Sequence, residues 1–243
     1  MKNILGDRQR PILARFLQQG PLVAFDFDGT LAPIVRDPAA TAMRASTRQL
    51  LEQVARRYPC AVISGRARRD VLAKLQGIPL RAVFGNHGIE PLRNPGVVRD
   101  LLDRWRAQLG RSLPQTPGLV LEDKGVTLAI HYRHATRHAE VRRIILGAIA
   151  QLPGHRIIEG KMVVNVLPAG SDDKASALVR LRRRLHCPSA IYVGDDDNDE
   201  GVFALAAQGW LLAIRIGHSS KSEAQYFLPR QSAINALLAR MIS

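Results

Sequence analysis

A chain of 243 residues, 46% hydrophobic and 23% charged, is long enough to bury a full core and too balanced in composition to be disordered. No apolar run reaches the roughly eighteen residues of a membrane span and the opening MKNILGDRQR lacks the apolar centre of a signal peptide, so a cytoplasmic protein without a membrane partner is expected. The formal charge of +14, from 35 basic and 21 acidic residues, rides on scattered arginines such as Arg56-Arg57 and Arg182-Arg183-Arg184; with aromatics at 5% no stacking platform accompanies them, and no nucleic-acid partner is expected.

In chain order, LVAFDF at 22–27 reads as a buried strand, 44–57 as a helix, 61–63 as a strand, 67–76 as a helix and 82–84 as a strand. Short apolar runs alternating with amphipathic stretches imply βαβ units and a parallel sheet. Each strand ends in a glycine-containing polar turn: Asp28-Gly29-Thr30, Ser64-Gly65-Arg66 and Gly85-Asn86-His87-Gly88. In an open α/β sheet such turns face one crevice beyond the carboxyl ends of the strands.

From residue 90 the pattern changes. A helix over 97–111 leads to the turn-forming linker SLPQTPG at 112–118, then to strands at 119–121 and 126–132 and a helix whose Val141, Ile144, Ile145, Ala148 and Ile149 share one face. Strands at 156–159 and 162–167 flank the Gly160-Lys161 turn. These residues, 90–166, read as a small α+β module inserted between the halves of a larger domain, 1–89 and 167–243. The parallel pattern then resumes with a helix over 172–185, a strand over 190–193, a short helix over 199–207, a strand over 211–216 and a closing helix with Ile234, Leu237, Leu238 and Met241 on its apolar face. Cys60 and Cys187 each precede an apolar run and read as small buried hydrophobes.

Two acidic clusters carry the chemistry. In FDFDGT, Asp26 and Asp28 lie two apart at the end of an apolar strand, so both are expected to point into the crevice, and Gly29 permits a sharp departure. In VGDDDNDE, five carboxylates fall within six positions directly after another strand. They repel one another unless a cation is bound, and a hard oxygen-seeking ion such as Mg²⁺ is the economical partner. Ser64-Gly65-Arg66 opens a helix after a strand and suits an anion. Lys174, at a helix start in GSDDKASAL, supplies a positive charge. His131, His134 and His138 cannot share a face if a strand gives way to a helix between them, so no zinc site is expected there.

The order DxDGT, Ser-Gly-Arg, helix-initial lysine and GDDxxDE resembles the haloacid dehalogenase superfamily of phosphohydrolases. GNHGIE at 85–90, LEDKGVTLAIHYR at 121–133 and EGKMVVNVLP at 159–168 narrow the likeness to the trehalose-6-phosphate phosphatase family, over about residues 22–203. The family usually has Glu and Arg where this chain has Asn165 and Leu167, and Gly where it has Ala175, which bears on sugar preference.

The resemblance implies a Rossmann-like core with a mobile α/β cap. It also implies Asp26 as nucleophile, Asp28 as general acid/base and Lys174 as a catalytic cation. Mg²⁺ would sit on Asp26, the carbonyl of Asp28 and Asp195, with Asp196 and Asp199 reaching it directly or through water. Phosphate would meet Ser64, Gly65, Arg66 and Lys174; the sugar would meet Asn86, His87, Glu122, Lys124, His131, Arg133, Glu159 and Lys161. The expected molecule is a monomer acting on a small sugar phosphate. Two other readings stay open: a phosphatase for another sugar phosphate, such as that of sucrose or glucosylglycerol, and a phospho-accepting receiver-like domain, which has no need of Asp28 or of an insertion.

Overall fold

The structure, a computed structural model, describes residues 1–91, 95–113 and 117–243; residues 114–116 of the expected linker turn lie outside the described residues. Contacts divide the chain into two units, Met1–Gly88 with Asp172–Ser243, and Ile89–Ser171.

The first unit opens with β1 (Lys2–Asn3), α1 (Arg10–Gln18), β2 (Leu22–Phe25), α2 (Ala45–Arg57), β3 (Cys60–Ile63), α3 (Arg68–Lys74) and β4 (Ala82–Phe84). The second contains α4 (Pro95–Ser112), β5 (Val120–Asp123), β6 (Leu128–His131), α5 (His138–Ala150), β7 (His155–Gly160) and β8 (Val163–Pro168). The chain returns to the first with α6 (Lys174–Arg184), β9 (Ala190–Gly194), α7 (Glu200–Phe203), β10 (Leu211–Ile216), β11 (Tyr226–Leu228) and α8 (Ile234–Ile242).

The first unit is a seven-stranded sheet in the order β1-β11-β10-β9-β2-β3-β4, every pair parallel. Alternate strand residues feed two apolar layers. Val23, Phe25, Val62, Ile191 and Val193 pack with Leu13, Phe16, Leu51, Val54 and Leu237 of α1, α2 and α8. Leu22, Ala24, Ala61, Ile63 and Tyr192 pack with Ala177, Leu178 and Phe203 of α6 and α7. A strand covered on both faces has no polar alternation, which is why these strands read as continuous apolar runs. Cys60 and Cys187 are both buried and free, as their apolar neighbours imply.

The inserted unit is an antiparallel sheet in the order β5-β6-β8-β7. Leu128, Ile130, Val164 and Val166 meet Leu102, Trp105, Val141 and Ile145 of α4 and α5. Register puts Glu122, Ala129, Asn165 and Ile158 side by side, one residue out of step with that apolar set and therefore on the opposite face.

Three local differences from the sequence reading bear on the site. The first strand stops at Phe25 rather than 27, so period-two alternation cannot be extended to Asp28. The helix expected over 199–207 is a short α7 between two 3-10 segments, Asp197–Asp199 and Ala204–Gln208. Finally, α1 and β11 carry no counterpart in the sequence reading, although Pro11 in the first turn of α1 is a helix-start signal.

Candidate active site

The site forms where β2 and β9 end side by side. Phe25 is in register with Val193, and the Asp26 amide extends the ladder by donating to the Val193 carbonyl at 2.9 Å. Asp26 thereby lies beside the acidic loop that follows β9. Gly29 is required here: its φ is +72°, and a Cβ would lie 1.9 Å from Asp195 Oδ2. The chain turns under the acid instead of colliding with it.

Asp26, Asp195 and Asp199 each offer a carboxylate oxygen within 4.8 Å of the others. Lys174, buried at the start of α6, lies 2.7 Å from Asp199 Oδ1 and 3.2 Å from Asp26 Oδ2. Position and charge are fixed by the fold: Asp173 caps α6, accepting from the Ser176 amide at 2.7 Å, and so seats the lysine in the first turn. Burial works against the ammonium ion, yet attraction from Asp199 and Asp26 prevails and raises the Lys174 pKa.

One ammonium among three acids, two of them buried, leaves the site short of positive charge. Burial, the neighbouring Asp199 and Asp195, and only partial relief from Lys174 push the Asp26 carboxyl well above the usual carboxylate range. Asp195 is pushed up to about 7 by burial and by Asp199 and Asp196. Asp26 Oδ1 is buried without a hydrogen-bond partner. An orphaned carboxylate oxygen facing other acids within metal-sharing distance fits a hard divalent cation.

Asp199 serves the scaffold. Its Oδ1 accepts from Lys174 Nζ at 2.7 Å and from the Tyr192 hydroxyl at 2.7 Å; its Oδ2 accepts from the amides of Asp195 and Asp196 at 3.0 and 3.1 Å. Four bonds occupy this carboxylate and shape the loop around Asp195. Asp196 caps its own turn, accepting from the Asp197 amide and Asn198 Nδ2 at 2.8 and 3.0 Å, and stands outside the three-acid group.

The second carboxylate of FDFDGT departs from Asp26. Asp28 is 36% exposed at its side chain and accepts from Arg66 Nε and Nη2 at 2.7 and 2.8 Å, while Arg66 Nη1 reaches Asp70 at 2.7 Å. Arg66 therefore holds the acid/base candidate. Ser64 is buried with its Oγ accepting from the Arg66 amide at 3.2 Å, closing the Ser64-Gly65-Arg66 loop on itself. Asn86 and His87, both at positive φ, are buried against this loop: their amides donate to Arg66 O and Ser64 O at 2.7 and 2.8 Å, and a Cβ on Gly65 would lie 2.8 Å from the His87 ring. They buttress the loop and present little surface.

In the inserted unit, Glu122 and His131 are joined at 2.7 Å, and Lys124 Nζ donates to Asn165 Oδ1 at 3.3 Å. The His131 contact lowers the Glu122 pKa. Arg133 and Lys161 are exposed. Glu159 pairs in register with Val164, hence on the helix-covered side, and binds Arg142 of α5 through two hydrogen bonds of 2.6 Å. It is separated by the sheet from Glu122 and Asn165.

Sequence reasoning missed Tyr192, Asp70 and Arg215. A tyrosine inside a fully buried strand must find a partner for its hydroxyl, which was a usable signal for Tyr192. Arg215 of β10 clamps the acidic loop through Glu200 at 2.7 Å and the Asp196 carbonyl at 3.2 Å, a role visible only once β10 and β9 are neighbours.

A family model described as trehalose-phosphatase matches residues 24–232. A trehalose-phosphate phosphatase of Mycobacterium tuberculosis (strain H37Rv) is 35% identical over 199 residues, covering 75% of this chain and 50% of that one. One of Mycobacterium ulcerans is 34% identical over 220 residues, covering 84% and 55%. This chain thus spans about half the length of the curated relatives it matches. Among solved structures, the C-terminal domain of Candida albicans trehalose-6-phosphate phosphatase superposes with a TM-score of 0.75 over 96% of both chains at 20% identity, a likeness of fold. With the family model spanning both flanks of the insertion and the acids of the cluster in the turns that follow β2 and β9, the chain belongs to the trehalose-phosphatase family.

Proposed function

We propose that the chain hydrolyses trehalose 6-phosphate to trehalose and inorganic phosphate through an aspartyl-phosphate on Asp26, with Mg²⁺ as cofactor. The observation that carries this reading is the buried, partnerless Asp26 Oδ1 at the end of β2, beside Asp195, Asp199 and Lys174. The sugar is assigned from the family and from relatives named trehalose-phosphate phosphatases.

Asp26, Asp195 and the carbonyl of Asp28 would hold the cation, which neutralises phosphoryl charge when bound. Asp26 attacks phosphorus and the sugar oxygen departs with a proton from Asp28. Asp28 then takes a proton from the water that hydrolyses the acyl phosphate, so one displacement becomes two easier ones. Lys174 neutralises Asp26 and the transferring group, while Ser64 and the Gly65 and Arg66 amides receive phosphoryl oxygens. On the face of the inserted sheet opposite its main apolar core, Glu122, Lys124 and His131 offer donors and acceptors to sugar hydroxyls. Three sugar-binding candidates have no such position, since Glu159 of the inserted unit is committed to Arg142 and Asn86 and His87 of the first unit support the Ser64-Gly65-Arg66 loop.

Phosphate release is to be measured with Mg²⁺ on trehalose 6-phosphate and on the phosphates of sucrose, glucosylglycerol and glucose. Preference for trehalose 6-phosphate is expected, and a stronger preference for another ester overturns the substrate. Asp26→Asn is expected to lose turnover while retaining its melting temperature; substantial remaining activity refutes the nucleophile.

A further inference from the structure

Of the arginine excess, Arg66 and Arg215 serve the acidic site, and another group of arginines surrounds a cavity elsewhere in the first unit. This cavity, of about 520 Å³, lies along α1 and between the carboxyl ends of α2 and α8. Because α2 ends at Arg57 and β3 begins at Cys60, it stands at the edge of the sheet where strands start, whereas the acids stand where strands finish. Its volume falls in the range of small-molecule sites, roughly 300–1,000 Å³.

The lining is two-sided. Leu17, Tyr58 and Met241 give an apolar floor, Arg10, Arg57 and Arg240 with Gln18 and Ser243 give the polar part, and among the described residues no Asp or Glu side chain lines it. Helix-end capping accounts for one of the three: Arg57 donates to the Ile242 carbonyl at 2.6 Å, as a cation near a helix C-terminus should. Arg240 stands in the last turn of α8 and suits the same dipole, but Arg10 does not. Arg10 is the first residue of α1, the end where the helix dipole disfavours a cation, and its ion pair with Asp7 at 3.2 Å is exposed. Arg240 is half-buried, and its Nη1 has no hydrogen-bond partner among the described residues. A buried guanidinium nitrogen left unmatched, two further guanidinium groups and an apolar floor complement a molecule with one anionic head and a compact apolar body. The Arg57 guanidinium already lies 5.6 Å from the Tyr58 ring centroid, so head and body contacts adjoin.

We propose that this cavity is a second ligand site, separate from the acidic centre, for an amphipathic organic anion: a carboxylate, sulfonate or phosphate on Arg57 and Arg240, with an aryl or short alkyl body on Leu17, Tyr58 and Met241. The site stands independently of the trehalose 6-phosphate assignment.

The test is a fluorescence titration of the Mg²⁺-loaded protein with 8-anilinonaphthalene-1-sulfonate. One saturable site per chain is expected. Losing two charge-assisted hydrogen bonds in the double variant Arg57→Gln, Arg240→Gln should weaken it at least about tenfold. Arg10→Gln, at a mostly exposed side chain, keeps the proposal decidable if the double variant melts early, and should weaken binding about threefold. Arg57→Lys with Arg240→Lys should restore part of the affinity. Inorganic phosphate, lacking an apolar body, should not displace the probe, and neither should saturating trehalose 6-phosphate. Affinity unchanged in both glutamine variants, or displacement by the sugar phosphate, overturns the second site.

Discussion

Arg66 grips Asp28 with two hydrogen bonds while anchored to Asp70, so it sets where the carboxyl proposed as acid/base points. This makes the proposed protonation step separable from phosphate binding. An alkoxide such as a sugar oxygen needs a proton to leave; p-nitrophenolate does not. Loss of a positioned acid costs about 10²–10⁴ in rate on the former. Arg66→Gln is therefore expected to lower kcat/KM on trehalose 6-phosphate at least about a hundredfold and on p-nitrophenyl phosphate less than about fivefold. Equal losses on both would make Arg66 a phosphate ligand. At this scale Asp26, Asp195 and Lys174 were legible, because strand-end acids and a capped lysine are local patterns. The Arg66-Asp70 anchor and the Tyr192-Asp199 bond were not, since each depends on partners that only the folded loops bring together.

Among elements, strands buried on both faces announced themselves, while the end of β2 did not. Whether LVAFDF stays in the ladder to Phe27 depends on Gly29 and Asp195, which meet only in three dimensions. Replacing Gly29 with Ala forces a Cβ onto Asp195 at a left-handed φ, and a destabilisation of about 1–3 kcal/mol with loss of Mg²⁺-dependent turnover is expected by chemical denaturation and phosphate release. Sheet faces supply a second expectation. Lys124 and Asn165 share the face of the inserted sheet opposite its main apolar core and Glu159 lies on the other. Lys124→Ala should raise KM for trehalose 6-phosphate about tenfold or more, the worth of a charged hydrogen bond, whereas Glu159→Gln should leave KM within about twofold. A large KM effect at Glu159 would place the sugar elsewhere.

On the scale of the whole molecule, the acidic centre is expected to couple stability to pH and to the proposed cation. The Asp195 pKa of about 7 in the folded protein, against an ordinary 3.8, means that the folded chain binds this proton more tightly than the unfolded one. Metal-free protein should therefore lose stability as pH rises from about 4 to about 7 and stay low above that. A bound cation replaces the proton, so the melting-temperature gain from millimolar Mg²⁺ should be larger at about pH 8 than at about pH 5, and Asp195→Asn should abolish the difference. Equal gains at both pH values would place the cation elsewhere.

The sheet order also has a consequence for biosynthesis. In the finished sheet β2 lies between β3, which follows it closely, and β9, which the ribosome delivers more than 160 residues later, after the whole insertion. Until then a nascent chain carries an open, wholly apolar edge at Leu22–Phe25, the sort of surface that invites aggregation and chaperone capture. Truncation before β9 should consequently yield insoluble, inert protein, although every residue of the Ser64-Gly65-Arg66 loop has already been made.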